Sequence, residues 1–187
     1  MKPLIIVTAP SGAGKTTIVK FLLNNFDNIA FSVSATTRSP RDHETNGKDY
    51  YFMSKEEFMS LVEASEFAEW EEVYEGQYYG TLISEMERIW NASQCIIFDI
   101  DVKGAQSLRK KFPDALAVFI KPPTEEVLMD RLKNRKTETP ESLAKRIAKA
   151  KFELSFADSF DNFIVNDELE VATNTAKKMV QDYLAKF

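Results

Sequence analysis

Four short, continuously apolar runs punctuate the chain, at residues 4–7, 95–98, 116–120 and 163–165. Runs without polar alternation suit strands buried on both faces, as in a parallel sheet. Each is preceded or followed by a stretch whose apolar residues recur at helical spacing. After the first run, Ile18, Val19, Leu22, Leu23 and Phe26 mark one helical face. Near the C-terminus, Leu169, Ala172, Ala176, Met179 and Tyr183 mark another. The spacing predicts helices over about 15–26, 104–112, 124–134, 140–157 and 168–186. The helix over 140–157 has Thr139 as candidate N-cap and Pro140 at its first position, with Leu143, Ile147 and Leu154 as its stripe. Strands alternating with helices predict an α/β fold, a parallel sheet flanked by helices.

Between about 31 and 90 the pattern changes. Phe31-Ser32-Val33-Ser34-Ala35 alternates with period two, as a half-exposed strand does. Tyr50-Tyr51-Phe52 is a second short strand candidate, and Ser54 with Glu57 makes a capping box before Phe58, Leu61 and Val62. The block is too polar for plain scaffold and reads as a substrate-binding lobe inserted between sheet strands. A second polar segment, 134–139, links two helices, carries arginines on its flanks and reads as a lid.

Composition narrows the partners. A chain of 187 residues with 44% hydrophobic content builds one sizeable core, and is short for two independent domains. Twenty-four Lys and Arg against 29 Asp and Glu give a net charge of -5, which argues against a broad electropositive face for duplex nucleic acid. Anionic small molecules remain open if cations cluster locally. Cys95, the only cysteine, lies in an apolar run and reads as a core thiol; His43, the only histidine, leaves little material for a His-based triad or metal site. No apolar stretch reaches membrane length and no secretory pattern is present, so a soluble cytoplasmic protein is the expectation.

The candidate chemistry starts where the first apolar run ends. Ala9-Pro10-Ser11-Gly12-Ala13-Gly14-Lys15-Thr16-Thr17 sits between a strand and a helix, where backbone N–H groups and a helix N-terminus gather on an anion. Lys15 adds an ammonium for β- and γ-phosphates, and Thr16 a hydroxyl for Mg²⁺. The phosphate-loop pattern has Gly at its first position, where this chain has Ala9. Phosphoryl transfer otherwise asks for alignment and positive charge on phosphate oxygens. Arg38 and Arg41 lie three apart, close enough to clamp one phosphate. Arg131, Arg135 and Arg146 flank the polar lid segment, and Arg131 and Arg135, at i and i+4, share a helix face. A solvated face with incidental salt bridges is the alternative for such arginines, but beside a phosphate loop a clamp on the NTP phosphates is favoured. Asp99 and Asp101 end the second apolar run, where open parallel sheets bind ligands; they suit Mg²⁺ or a donor-rich group, or merely cap the next helix. Any of Glu66, Glu69, Glu71 and Glu72 can offer a carboxylate to the adjacent N–H donors of guanine, and Ser34 or Thr81 a hydroxyl to its O6.

These residues, taken together, resemble the guanylate kinases. The likeness is carried by FSVSATTRSPR at 31–41, GKDY at 47–50, FAEW at 67–70, YYGT at 78–81, FDIDVKG at 98–104, the lid stretch from Arg131 to Arg135 with Thr137-Glu138-Thr139, and Val165-Asn166-Asp167. It runs in order over essentially the whole chain. It implies the P-loop nucleoside monophosphate kinase architecture: a core over about 1–30, 92–124 and 151–187, a GMP-binding lobe over about 31–91 and a lid over about 125–150. It implies transfer of the γ-phosphoryl group of MgATP to GMP and dGMP, in guanine nucleotide recycling and biosynthesis, with no nucleic-acid or membrane partner. Oligomeric state stays open.

Carried over by position, the resemblance gives guanine to Ser34, Glu69, Thr81 and Asp101, and the GMP phosphate to Arg38, Arg41, Tyr50 and Tyr79. Lys15, Arg38, Arg131, Arg135 and Arg146 are implied to act on the transferring group. The phosphate loop, 9–17, with Asn166 and Asp167 near the adenine end, is implied to hold ATP, and Thr16 and Asp99 the metal. Thr81 stands where Ser is common, and Ala9 is a variant found within the family. Two other functions fit parts of this pattern: a P-loop kinase of another small phosphorylated acceptor, and a non-catalytic guanylate-kinase-like interaction module. The second generally lacks a working phosphate loop and lid arginines, which this chain retains.

Overall fold

The computed structural model describes residues 2–134 and 140–187, with the side chains of 140–142 left aside. A five-stranded parallel sheet forms the base, in the order β2-β7-β1-β8-β9. Its strands are β1 (Leu4–Thr8), β2 (Ile29–Phe31), β7 (Cys95–Asp99), β8 (Leu116–Lys121) and β9 (Asn162–Val165). The central strand is apolar from Leu4 to Val7 because both of its faces are covered. Ile5 and Val7 pack with Ile18 and Leu22 of α1 (Lys15–Asn25) and with Ala176 and Val180 of α7 (Leu169–Leu184). Leu4 and Ile6 face the other way, onto Met86 and Ile89 of α3 (Ile83–Asn91) and Ala105 and Leu108 of α4 (Val102–Lys111). The parallel sheet flanked by helices is as the apolar runs predict. Cys95 is buried, and burial pushes its thiol up to about 12, as a core residue requires.

A second sheet, ordered β4-β3-β6-β5, carries most of the inserted block. It comprises β3 (Ala35–Thr36), β4 (Tyr51–Phe52), β5 (Phe67–Tyr74) and β6 (Gln77–Leu82). Phe58 of α2 (Lys55–Glu63) closes its small core against Ala35 and Phe67. The capping box forms as read: Glu57 N–H donates to Ser54 Oγ at 3.1 Å, and Ser54 N–H to Glu57 Oε2 at 2.7 Å.

Two elements differ from the sequence expectation. The single alternating strand expected over 31–35 is divided between the sheets, β2 ending at Phe31 and β3 starting at Ala35. The chain leaves the first ladder where Val33 N–H turns to the Glu85 carboxylate, at 3.1 Å. Helix α3 was not anticipated, because its inward stripe includes the charged Glu85, 3% exposed and held by Val33, Tyr51 and Arg88. Helix α5 spans Glu125–Lys133 and α6 spans Pro140–Leu154, so Pro140 opens its helix as expected, while Thr139 lies outside the described residues. No helix among the described residues is long and apolar enough to cross a membrane.

Candidate functional site

The strand-to-helix turn after β1 builds one side of the site. Gly12 and Gly14 take left-handed backbone angles, φ 90° and 92°, and no side chain caps the N-terminus of α1, whose first amides stay available to an anion. Packing constrains both glycines further. A Cβ on Gly12 would press on the Leu132 side chain at 3.1 Å, and one on Gly14 would collide with the Asn166 carboxamide. Asn166 is buried and donates from Nδ2 to the Ala13 carbonyl at 2.8 Å, so it braces the loop; the adjoining Asp167 is exposed. Ala9 is 4% exposed in the core, where its methyl group is accommodated.

Asp99 ties this loop to the end of β7. Its Oδ1 lies 2.6 Å from Lys15 Nζ, and its Oδ2 accepts from Thr16 Oγ1 at 3.0 Å. Lys15 Nζ also donates to the Ile100 carbonyl at 2.8 Å. The register explains the meeting: β1 and β7 run parallel with Val7 opposite Asp99, so both carboxyl ends open on the same loop. A hydroxyl beside one carboxylate fits a cation that keeps water and phosphate oxygens in its other positions, as Mg²⁺ does. Asp101 caps the next helix and also faces the cavity beyond. Its Oδ1 accepts from Gly104 N–H of α4 at 2.9 Å.

That cavity, about 350 Å³, is walled by residues 9–12 and 14–17 of the loop, with Tyr50, Tyr74, Asp99, Asp101, Lys149 and Glu153. A smaller one of about 180 Å³ adjoins it, lined by Ser34, Tyr50, Glu69, Tyr79, Gly80 and Asp101 among others. Lys15, Tyr50, Asp99 and Asp101 belong to both, so the two spaces meet at the phosphate loop.

Of the candidate carboxylates, Glu69 is buried and the half-buried Glu71 lines the same cavity, while Glu66 and Glu72 are exposed. Glu69 is 8% exposed, and burial, seconded by the Asp101 charge, raises its carboxyl to about 7. Thr81 stands opposite on β6, fully buried, and donates to Glu69 Oε1 at 2.7 Å. Thr81 thus orients the carboxylate, while Ser34 lines the cavity. Glu69 Oε2 occupies the space a Cβ on Gly104 would take, at 2.7 Å, so α4 approaches the carboxylate closely only as glycine.

Arg38 lies beside Tyr50 and Phe52, its Cζ 5.2 and 5.6 Å from their ring centres, and donates from Nε to Tyr79 Oη at 3.3 Å. Burial raises the Tyr50 phenol, which stays a neutral hydroxyl donor. Arg41 has an exposed side chain, with its backbone N–H on the Glu44 carboxylate at 2.8 Å. Arg131 donates to the Asn166 carbonyl at 3.0 Å and Arg146 to Ser11 Oγ at 3.1 Å. Arg135 lies outside the described residues, as do Thr137 and Glu138.

Sequence reasoning missed three contributors. Glu44 accepts two hydrogen bonds from the Arg38 guanidinium, which holds its carboxyl down at about 2. Glu153, 5% exposed on α6, accepts from Ser11 N–H at 3.0 Å, and Lys149 reaches 3.7 Å from Glu153 and 4.7 Å from the Tyr74 ring. Gly104 makes room for Glu69. A signal existed for the first two: Glu44 follows Arg41 by three, and Arg146, Lys149 and Glu153 recur on one helical face.

The comparisons agree with one another. A family model described as guanylate kinase matches residues 1–183. A guanylate kinase of Porphyromonas gingivalis is 48% identical over 188 residues, covering 100% of both chains. One from Bacteroides fragilis is 46% identical, covering 97% of this chain and 89% of the relative. The crystal structure of a guanylate kinase from Anaplasma phagocytophilum superposes with a TM-score of 0.75 at 30% identity, covering 99% of this chain and 86% of that one.

Proposed function

Because the chain belongs to the guanylate kinase family and phosphorylates GMP with ATP, we propose the roles of its residues in that transfer. The observation that carries the assignment is the pair of adjoining cavities, one on the phosphate loop and one on Glu69, with Lys15, Tyr50, Asp99 and Asp101 common to both. ATP takes the larger with its triphosphate on residues 9–17. GMP takes the smaller with its base on Glu69. The division into core, GMP-binding lobe and lid follows the same line, the four-stranded sheet carrying the acceptor.

Glu69, once ionised, accepts from N1–H and N2–H of guanine, and Thr81 fixes its plane from behind. Ser34 donates to O6, and Asp101 accepts on the amino side. Arg38, Arg41, Tyr50 and Tyr79 hold the acceptor phosphate in line with the donor. Lys15 leaves Asp99 for the β- and γ-oxygens. Arg131, Arg135 and Arg146 neutralise charge on the group in flight. Asn166 braces the loop, with Asp167 nearer the adenine. Guanylate kinases use ATP with Mg²⁺ in general, and here Thr16 and Asp99 are the residues we assign to it; the ion supplies charge neutralisation on the phosphate oxygens. dGMP is included as a second acceptor. Both substrates are cytoplasmic nucleotides, and that is the compartment we assign.

An ADP-release assay with GMP, AMP, CMP and UMP tests the acceptor. GMP should be turned over far faster than the other three; equal rates would remove the base assignment. Lys15→Met should abolish turnover while calorimetry still records GMP binding. Lost GMP binding in a folded Lys15→Met chain would mean that Lys15 serves the acceptor instead.

A further inference from the structure

A guanidinium carries five N–H donors, and in Arg38 their partners can be followed one by one. Nη1 gives one to the Ser39 carbonyl at 2.7 Å and one to Glu44 Oε2 at 2.8 Å. Nη2 gives one to Glu44 Oε1 at 2.9 Å. Nε gives its hydrogen to Tyr79 Oη at a long 3.3 Å. Among the described residues the second Nη2 hydrogen meets no acceptor, and it lies on the same edge as Nε. That edge is a two-pronged fork of the kind that matches a phosphate, and its one partner, Tyr79, lines the acceptor cavity. The opposite edge is fully occupied by Glu44.

Glu44 holds more than one side chain. Oε2 also accepts from Arg41 N–H at 2.8 Å, and Glu44 N–H closes the turn onto the Arg41 carbonyl at 2.9 Å. One carboxylate therefore sets both the rotation of the Arg38 fork and the backbone that carries Arg41. It is shielded from water, its side chain 8% exposed against 15% for Arg38, so neither partner is easily replaced by solvent.

We infer that Glu44 is a positioning residue for the acceptor phosphate: it holds one edge of Arg38 so that the other edge faces that phosphate, and it fixes the turn bearing Arg41. The inference rests on the proposed role of Arg38 toward GMP. Without Glu44, the guanidinium rotates among Ser39, solvent and the aromatic rings, and the fork is aimed only part of the time. Glu44 touches no part of the base site, so guanosine, which lacks the phosphate, should not sense it.

The test compares Glu44→Ala, Arg38→Ala and the double variant, with KM for GMP and for ATP and calorimetric affinity for guanosine. Glu44→Ala should raise the KM for GMP about tenfold, leave that for ATP within about twofold, and leave guanosine affinity unchanged. Added to Arg38→Ala, it should change the KM for GMP by less than about twofold, since the effect passes through Arg38. Equal losses for GMP and guanosine would make Glu44 a scaffold residue and overturn the inference. A lowered KM for GMP would overturn it too, showing that Glu44 competes with the phosphate. A loss with Arg38→Ala but none with Glu44→Ala overturns the inference alone; no loss with Arg38→Ala overturns the Arg38 assignment beneath it. If Glu44→Ala fails to fold, Glu44→Gln carries the same comparison: it keeps one acceptor oxygen for Arg41 N–H, loses the charge, and should show a smaller rise for GMP alone.

Discussion

The role proposed for Glu69 is one that its surroundings resist. The side chain must be ionised to accept two N–H donors, yet burial lifts its carboxyl to about 7. The sign of the pH dependence follows. A carboxyl raised above its unfolded value favours the folded state fully below about 4.5, and that contribution is lost as pH rises through about 7. Guanine binding runs the other way, since the empty site must release a proton first below about 7. Guanosine affinity should therefore fall as pH drops from 8 to 6, by up to about tenfold per unit at the acid end. Calorimetry with guanosine isolates this from the titrating phosphate of GMP. A flat profile would mean that Glu69 is already ionised or is not the base acceptor. Glu69→Gln should both flatten the profile and cut GMP turnover, by a factor on the order of 10⁴ where an unmatched donor pair is left buried. Gly104→Ala should act on the same carboxylate without changing its chemistry, because the new Cβ would stand 2.7 Å from Glu69 Oε2. The KM for GMP should rise and the KM for ATP hold; equal rises would point to α4 as a whole. The residues by themselves offered four glutamates here, and only the family resemblance pointed to Glu69. The register of β5 on β6 sets Glu69 opposite Thr81, and no local pattern encodes a pairing across a hairpin.

Elements were legible in proportion to how local their causes are. The capping box of α2 uses two side chains three residues apart, and it forms as written. Ser54→Ala should cost about 1 kcal/mol, read as a drop of about 2–4 °C in a thermal melt. An unchanged melt would show that packing of Phe58 alone holds the helix. The division of 31–35 between two sheets was not legible, because it depends on Glu85, fifty-two residues away from Val33. Helix α6 joins both kinds of information. Its apolar stripe made it visible, while Arg146, Lys149 and Glu153 show their purpose only against the phosphate loop. Glu153→Ala would leave Ser11 N–H without its acceptor and slacken the loop that holds the triphosphate. The expected result is a several-fold higher KM for ATP with GMP binding intact, and recovery in Glu153→Gln, which keeps an acceptor oxygen. If Glu153→Ala instead lowered the KM for ATP, the carboxylate would be an electrostatic obstacle rather than a brace.

The whole molecule brings together two sheets that differ in how far the sequence reveals them. The parallel sheet was visible because strands covered on both faces leave unbroken apolar runs, although its strand order, fixed by crossovers, was not. The four-stranded sheet has short strands and a core closed by α2, so it read only as a polar insertion. Its attachment explains its use. The chain passes between the sheets through 32–34 and returns from β6 directly into α3. Both links sit beside Glu85, which fastens Val33 and Tyr51 to α3. GMP would contact Glu69, Ser34 and Arg38 on the four-stranded side and Asp101 on the core side, so its binding should draw the sheets together about these links. Transfer needs the acceptor oxygen about 3–3.5 Å from the γ-phosphorus and shielded from water, and closure about these links would supply both. The radius of gyration from solution X-ray scattering should therefore fall when GMP saturates the chain, and fall further when a non-hydrolysable ATP analogue joins it. Guanosine at saturation should give less contraction than GMP, since the arginine clamp then has nothing to close on. A radius unchanged by both nucleotides would mean that the two cavities are already at working distance and that 32–34 is a rigid joint.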